Sequence, residues 1–104
     1  MDKIILDPCV ENELWAIWLY IAQDNPEAAT RVVEAAHRSF TELAANPRIG
    51  RIWKFRGRRL RGVRSWRIMD FQNYLIFYKE ESGIIRILHV YHGAQNIEAL
   101  FERP

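Results

Sequence analysis

The sequence predicts an α+β fold of order β-α-α-β-β-β, a helical hairpin packed on a mostly antiparallel sheet, with a short C-terminal helical turn. Three observations carry this. Asp7-Pro8 and Asn25-Pro26 each stand just before a run of apolar residues at helical spacing. Residues 74–91 change to aromatic and β-branched chemistry, interrupted by one glycine-containing turn. The chain has 104 residues, which suits one domain spanning 1–104 and is too short for two.

Residues 3–6 read as a short first strand. Asp7 is then the expected N-cap of a first helix with Pro8 at its first position, where a missing N–H costs nothing. Leu14, Ile17, Trp18 and Ile21 fall at i, i+3, i+4 and i+7 and predict one apolar stripe, with Trp15 and Trp18 read as core or helix-packing residues. Asn25-Pro26 repeats the start signal. In the second helix Ala29, Val32, Val33, Ala36, Phe40 and Leu43 form the stripe, and Asn46-Pro47 ends it. Only a few residues separate the helices, so an antiparallel hairpin is expected.

Residues 59–68 alternate imperfectly through Leu60, Val63, Trp66 and Ile68 and supply a strand. Residues 74–78 and 84–91 form a β-hairpin about Glu81-Ser82-Gly83, and residues 97–101 suit one helical turn. The longest apolar run, residues 14–22, is far short of the ~20 residues that cross a bilayer, so no membrane span is expected. An acid and a proline interrupt the N-terminal residues before a signal-peptide core can form, and a cytoplasmic location is expected. Cys9 is the only cysteine, which excludes an internal disulfide and a cysteine-cluster metal site. It reads as a small buried hydrophobe. No metal and no cofactor are expected.

The formal charge of +2 hides a strong asymmetry. Residues 1–47 carry three basic and eight acidic side chains, residues 48–67 nine basic and none acidic, and residues 68–104 three basic and five acidic. The middle segment is a concentrated cation. Arg48, Arg51, Lys54, Arg56, Arg58, Arg59, Arg61, Arg64 and Arg67 make it up, and arginine's planar fork suits phosphate and carboxylate. An anionic partner is implied. Trp53 and Trp66 are interleaved with these cations, a pattern that suits base stacking or cation–π contact and equally suits covering the core edge. The candidate target-binding set is Arg56, Arg58, Arg59, Arg61, Arg64, Arg67 and Trp66.

Several blocks stand in a familiar order: 14–21 (Leu-Trp-Ala-Ile-Trp-Leu-Tyr-Ile), Asn25-Pro26-Glu27-Ala28-Ala29, Leu43-Ala44 to Pro47, Gly50-Arg51, Tyr74-Leu75-Ile76-Phe77-Tyr78, and 87–94 (Ile-Leu-His-Val-Tyr-His-Gly-Ala). Together they resemble the ParE/RelE superfamily of bacterial toxins, in its ParE branch. The resemblance covers nearly the whole chain. It implies a plasmid-stabilization type of toxin in a type II toxin–antitoxin pair, held in check by a cognate antitoxin and acting on DNA gyrase by trapping its DNA-cleaved state. ParE-like chains commonly have arginine where His89 stands and arginine-aspartate where Gln95-Asn96 stand.

RelE-like members instead cut messenger RNA on the ribosome, chemistry that needs proton transfer and positive charge at the reacting phosphate. They resemble one another in an arginine on the middle hairpin strand, another after the last strand and a tyrosine near the C-terminus. Leu75, Gln95 and Phe101 occupy those places here, and none can supply that chemistry. The resemblance therefore points to a binder without catalytic residues. The alternative is a ribosome-dependent endoribonuclease that uses Tyr91 and His92, since some relatives end with a Tyr-His pair; a third reading is a degenerate, non-toxic interaction module marked by His89, Gln95 and Asn96. For His92 the structural reading is a cap on the strand end. His89 and His92 have odd spacing and are expected on opposite faces, so they form no metal pair. His37 is expected on the polar side of the second helix.

Overall fold

A computed structural model describes residues 3–102. The chain runs β1 (Lys3–Leu6), α1 (Pro8–Ala22), α2 (Pro26–Ala45), β2 (Arg51–Ile52), a 3-10 turn (Arg58–Leu60), β3 (Arg64–Ile68), β4 (Phe71–Glu81), β5 (Ile84–His92) and α3 (Ile97–Phe101). The five strands lie in the order β1-β5-β4-β3-β2, all antiparallel except β1, which runs parallel to β5 with Lys3 opposite Ile84. Ser82 and Gly83 both have positive φ and make the tight turn between β4 and β5, as the strand twist favours.

The α1–α2 hairpin covers one face of the sheet. Val10, Leu14, Val32, Ala36, Phe40 and Leu43 pack there on Ile76, Tyr78, Ile85, Ile87 and Val90. Asn25 caps α2 as expected, accepting the Ala28 N–H at 3.1 Å, and the α2 stripe holds, although Val33 lies beside the buried line rather than on it.

Four features differ from the sequence expectation. Asp7 occupies the cap position of α1, but its carboxylate does not cap; it pairs with Arg86 of β5 at 2.9 Å, a charged partner on the neighbouring strand outcompeting backbone donors. Trp15 is not a core residue. It is 59% exposed and stacks on Trp18, whose indole N–H donates to Thr30 of α2. The core stripe of α1 begins at Val10 and Leu14, which rotates Trp15 outward. The strand assigned to residues 59–68 starts only at Arg64, because Gly57 and Gly62 take positive φ and fold the preceding residues into a loop. Ahead of that loop, Arg51 and Ile52 pair with β3 as the two-residue strand β2, too short to leave a hydrophobic period.

The second face of the sheet is covered as well. Val63, Phe77, Ile97 and Phe101 form a smaller core there with Trp53, Phe55, Leu60, Leu75, Leu88, Tyr91 and Leu100 around it. The loop between β2 and β3 and the helix α3 thus close over the side that the hairpin leaves open. No described helix is long and apolar enough to cross a membrane.

Gly50 shows how tightly the loop is seated. Its N–H donates to the Tyr78 hydroxyl at 2.9 Å, and that hydroxyl donates to the Pro47 carbonyl at 2.8 Å. A Cβ on Gly50 would come within 2.5 Å of the Tyr78 oxygen and 2.7 Å of the Ser65 carbonyl oxygen. Gly50→Ala is therefore expected to cost about 1–3 kcal/mol, read as a lower denaturation midpoint. An unchanged midpoint would show that the loop can retreat from Tyr78 without loss. Burial, above all, pushes the Tyr78 phenol up from its ordinary value of 10.0, so its contribution to stability is complete below that pH and is lost as pH rises through the higher folded value.

Candidate functional site

The structure divides the predicted target-binding residues into three groups. Arg56, Arg58, Arg59 and Arg61 are exposed on the loop between β2 and β3 and, among the described residues, form no ion pair. The loop under them is anchored: Phe55 stacks on Phe101 at 4.6 Å and on Trp53 at 5.3 Å, and Leu60 and Val63 belong to the second core. Lys79 donates to the Arg59 carbonyl at 3.3 Å. The four guanidinium groups are carried on a scaffold rather than on a free coil.

Arg64 has a different role. Its guanidinium donates to the carbonyls of Gly50 at 2.8 Å and Arg48 at 3.4 Å and ties the end of α2 to β3. Trp66 is half-buried, with its indole N–H donating to Glu42 of α2 at 3.2 Å, and Arg67 lies over its ring at 4.6 Å. Trp53 donates to Ser65 at 2.7 Å while Arg51 covers its ring at 4.3 Å. Both tryptophans are engaged in packing.

Tyr91 and His92 are neighbours on β5 and therefore point to opposite faces. The Tyr91 ring joins the second core beside Phe77 and Phe101, whereas the His92 ring meets Tyr74 on the helical side. His92 caps the end of its own strand: Nδ1 accepts the Ala94 N–H at 3.0 Å, and its N–H donates to the Gln95 side chain at 2.9 Å. Asn96 caps α3 by accepting the Ala99 N–H at 3.3 Å. Gln95 and Asn96 thus terminate the strand and start the helix. Leu75 and Phe101 lie in or against the second core.

A cluster that the sequence did not reveal joins α1 to β5. Cys9 and Glu13 are one helical turn apart, and the register of β4 against β5 shifts so that Tyr78 faces Ile87 and Phe77 faces His89, leaving Leu88 as an extra residue. His89 Nδ1 lies 2.7 Å from Glu13 Oε2 and 3.5 Å from Cys9 Sγ. The other Glu13 oxygen accepts the Val90 N–H at 2.8 Å. Cys9 is half-buried, and burial first, then the Glu13 and Asp7 carboxylates, push its thiol up from the ordinary 9.0, so it is a protonated thiol at neutral pH. The i, i+4 pair Cys9/Glu13 was visible in the sequence; its partner 76 residues beyond Glu13 was not.

Beside this cluster a cleft of about 670 Å³ opens between α1 and the end of β5, lined by Ile17, Tyr20, Tyr74, Val90 and Tyr91 among others. Tyr20, 72% exposed, lines this cleft, and Leu19 and Trp15 are further exposed apolar residues of α1.

The comparisons agree with this geometry. A family model for the ParE toxin of the type II toxin–antitoxin system parDE matches residues 4–97. A solved chain from the chromosomal ParDE TA system of P. aeruginosa superposes with a TM-score of 0.71 at 21% identity, covering 88% of this chain and 96% of its own. At that identity the likeness speaks for the fold. No curated protein matches at a significant level. With the hairpin-on-sheet fold and the family match over residues 4–97, the chain belongs to the ParE toxin family of type II toxin–antitoxin systems.

Proposed function

We propose that this chain is a toxin that acts on DNA gyrase as a binder, without bond chemistry of its own, and that a cognate antitoxin neutralises it. The observation that carries the reading is the state of the three positions where nuclease relatives are expected to hold their chemistry. Leu75 and Phe101 are spent on the second core, and Gln95 on the backbone of His92. None can move a proton or hold a charge at a phosphate in the transition state. The Nδ1 of His92 is already an acceptor for Ala94, and Tyr91 faces away from it. Arg56, Arg58, Arg59 and Arg61, presented on an anchored loop, supply contacts to gyrase or to its bound DNA. The apolar surface of α1 and the adjacent cleft suit the antitoxin, which is expected to dock an amphipathic, acidic segment.

The test adds the purified chain to gyrase with supercoiled plasmid, and separately to translating ribosomes with a defined message. Cleaved plasmid complexes accumulating while the message stays intact is the expected result, matched in cells by DNA damage signalling and filamentation. Message cut at the ribosome, lost in His92→Ala, with gyrase unaffected, would replace this reading by the endoribonuclease.

A further inference from the structure

We propose that Cys9, Glu13 and His89 form a binding site for one divalent transition-metal ion of the zinc class, which clamps the start of α1 to β5. The ligand atoms of the three residues all lie within 4.8 Å of one another. Zinc bonds of roughly 2.0–2.3 Å in tetrahedral geometry place a nitrogen and a sulfur ligand about 3.6 Å apart and a nitrogen and an oxygen ligand about 3.3 Å apart. The Cys9–His89 separation of 3.5 Å already meets this, and the Glu13–His89 contact of 2.7 Å has to open by about half an ångström. Sulfur, imidazole and carboxylate together select zinc or cobalt over magnesium or calcium, which prefer oxygen alone.

The surroundings hold the ligands in place. Val90 N–H fixes the far oxygen of Glu13 and turns Oε2 toward His89. The His89 ring is stacked on Tyr91 at 4.7 Å and meets the edge of Phe101 at 5.1 Å, which supports it from the side of the second core. Outer partners of this kind orient metal ligands. Glu13 and His89 keep 21% and 27% of their side-chain surface, enough for an ion to enter and for water to complete a fourth position. On binding, the Cys9 thiol proton leaves to solvent, and His89 coordinates through Nδ1 with its ring proton on Nε2. Thiolate and carboxylate then balance the two positive charges. Composition argued against a metal because one cysteine and two divergent histidines show no ligand spacing; the trio exists only once α1 lies along β5.

Titration of the full, reduced chain with Co2+ tests this. One equivalent is expected to produce a thiolate-to-cobalt charge-transfer band with visible absorption of tetrahedral form, displaced by Zn2+. Cys9→Ser should abolish the charge-transfer band. His89→Gln should weaken binding by more than about 100-fold, since even outer partners are worth roughly 10- to 100-fold. His37→Ala, on the exposed side of α2, should leave the titration unchanged. Circular dichroism of each variant separates loss of a ligand from loss of fold. Absence of the charge-transfer band in the unmutated chain, or equal affinity in Cys9→Ser, would overturn the proposal and leave the trio as a hydrogen-bonded contact between α1 and β5.

Discussion

Phe40→Ala is expected to destabilise the chain by about 3–5 kcal/mol, a change of roughly 100-fold or more in the unfolding equilibrium. Phe40 is 2% exposed in the C-terminal half of α2 and belongs to the larger core between the hairpin and the sheet. Truncation removes the transfer free energy of the ring and leaves a cavity that two packed layers cannot close. For a domain of this length the thermal midpoint should fall by more than about 12 °C, since each kcal/mol shifts it by roughly 4–8 °C. Val33→Ala, two turns away and only half-buried, should cost much less. An unchanged midpoint in a denaturant titration of Phe40→Ala would mean that α2 presents another face to the sheet.

Reversal of Arg58, Arg59 and Arg61 to glutamate is expected to slow association with the cognate antitoxin by about 10- to 1000-fold at low salt. These side chains are exposed and, among the described residues, form no ion pair, so their field is uncancelled locally and steers an acidic partner over a Debye length of about 10 Å at 0.1 M salt. The difference between variant and unmutated chain should shrink as salt rises toward 1 M, where that length falls to about 3 Å. With the antitoxin seated on α1 and the cleft as proposed, dissociation should change far less. Reversal of Arg31 and Arg38, exposed on α2, serves as the control for net charge alone. An association rate unaffected by the loop reversal would show that the loop cations do not steer the antitoxin.

His89, Gln95 and Asn96 depart from the pattern that the ParE resemblance implies, and such departures also fit a protein losing its function. Each has a defined place here. Gln95 and Asn96 satisfy backbone donors at the end of β5 and the start of α3, and His89 joins α1 to β5 through Glu13. The substitutions are integrated into the fold, and decay does not follow from them.

The elements governed by local interactions were legible in the sequence. Asn25 caps α2 because a short side-chain oxygen reaches the free N–H of Ala28 in any context, and the stripe through Ala29, Val32, Ala36, Phe40 and Leu43 follows from the 3.6-residue period alone. The turn at Ser82-Gly83 follows from the backbone freedom of glycine beside a polar residue. The pairing of distant segments was decided only by the tertiary structure. Asp7 abandons its helix for Arg86 across 79 residues, Trp15 turns outward because the α1 core line starts at Val10, and the arginine-rich segment becomes an anchored loop because Phe55, Leu60 and Val63 find a second core with Phe101. Cys9 and Glu13 share one helix face by sequence, but His89 reaches them only because the fold lays α1 along β5. Local hydrogen-bonding and periodicity are properties of neighbouring residues, whereas partner choice over such separations depends on which surfaces the completed sheet brings together.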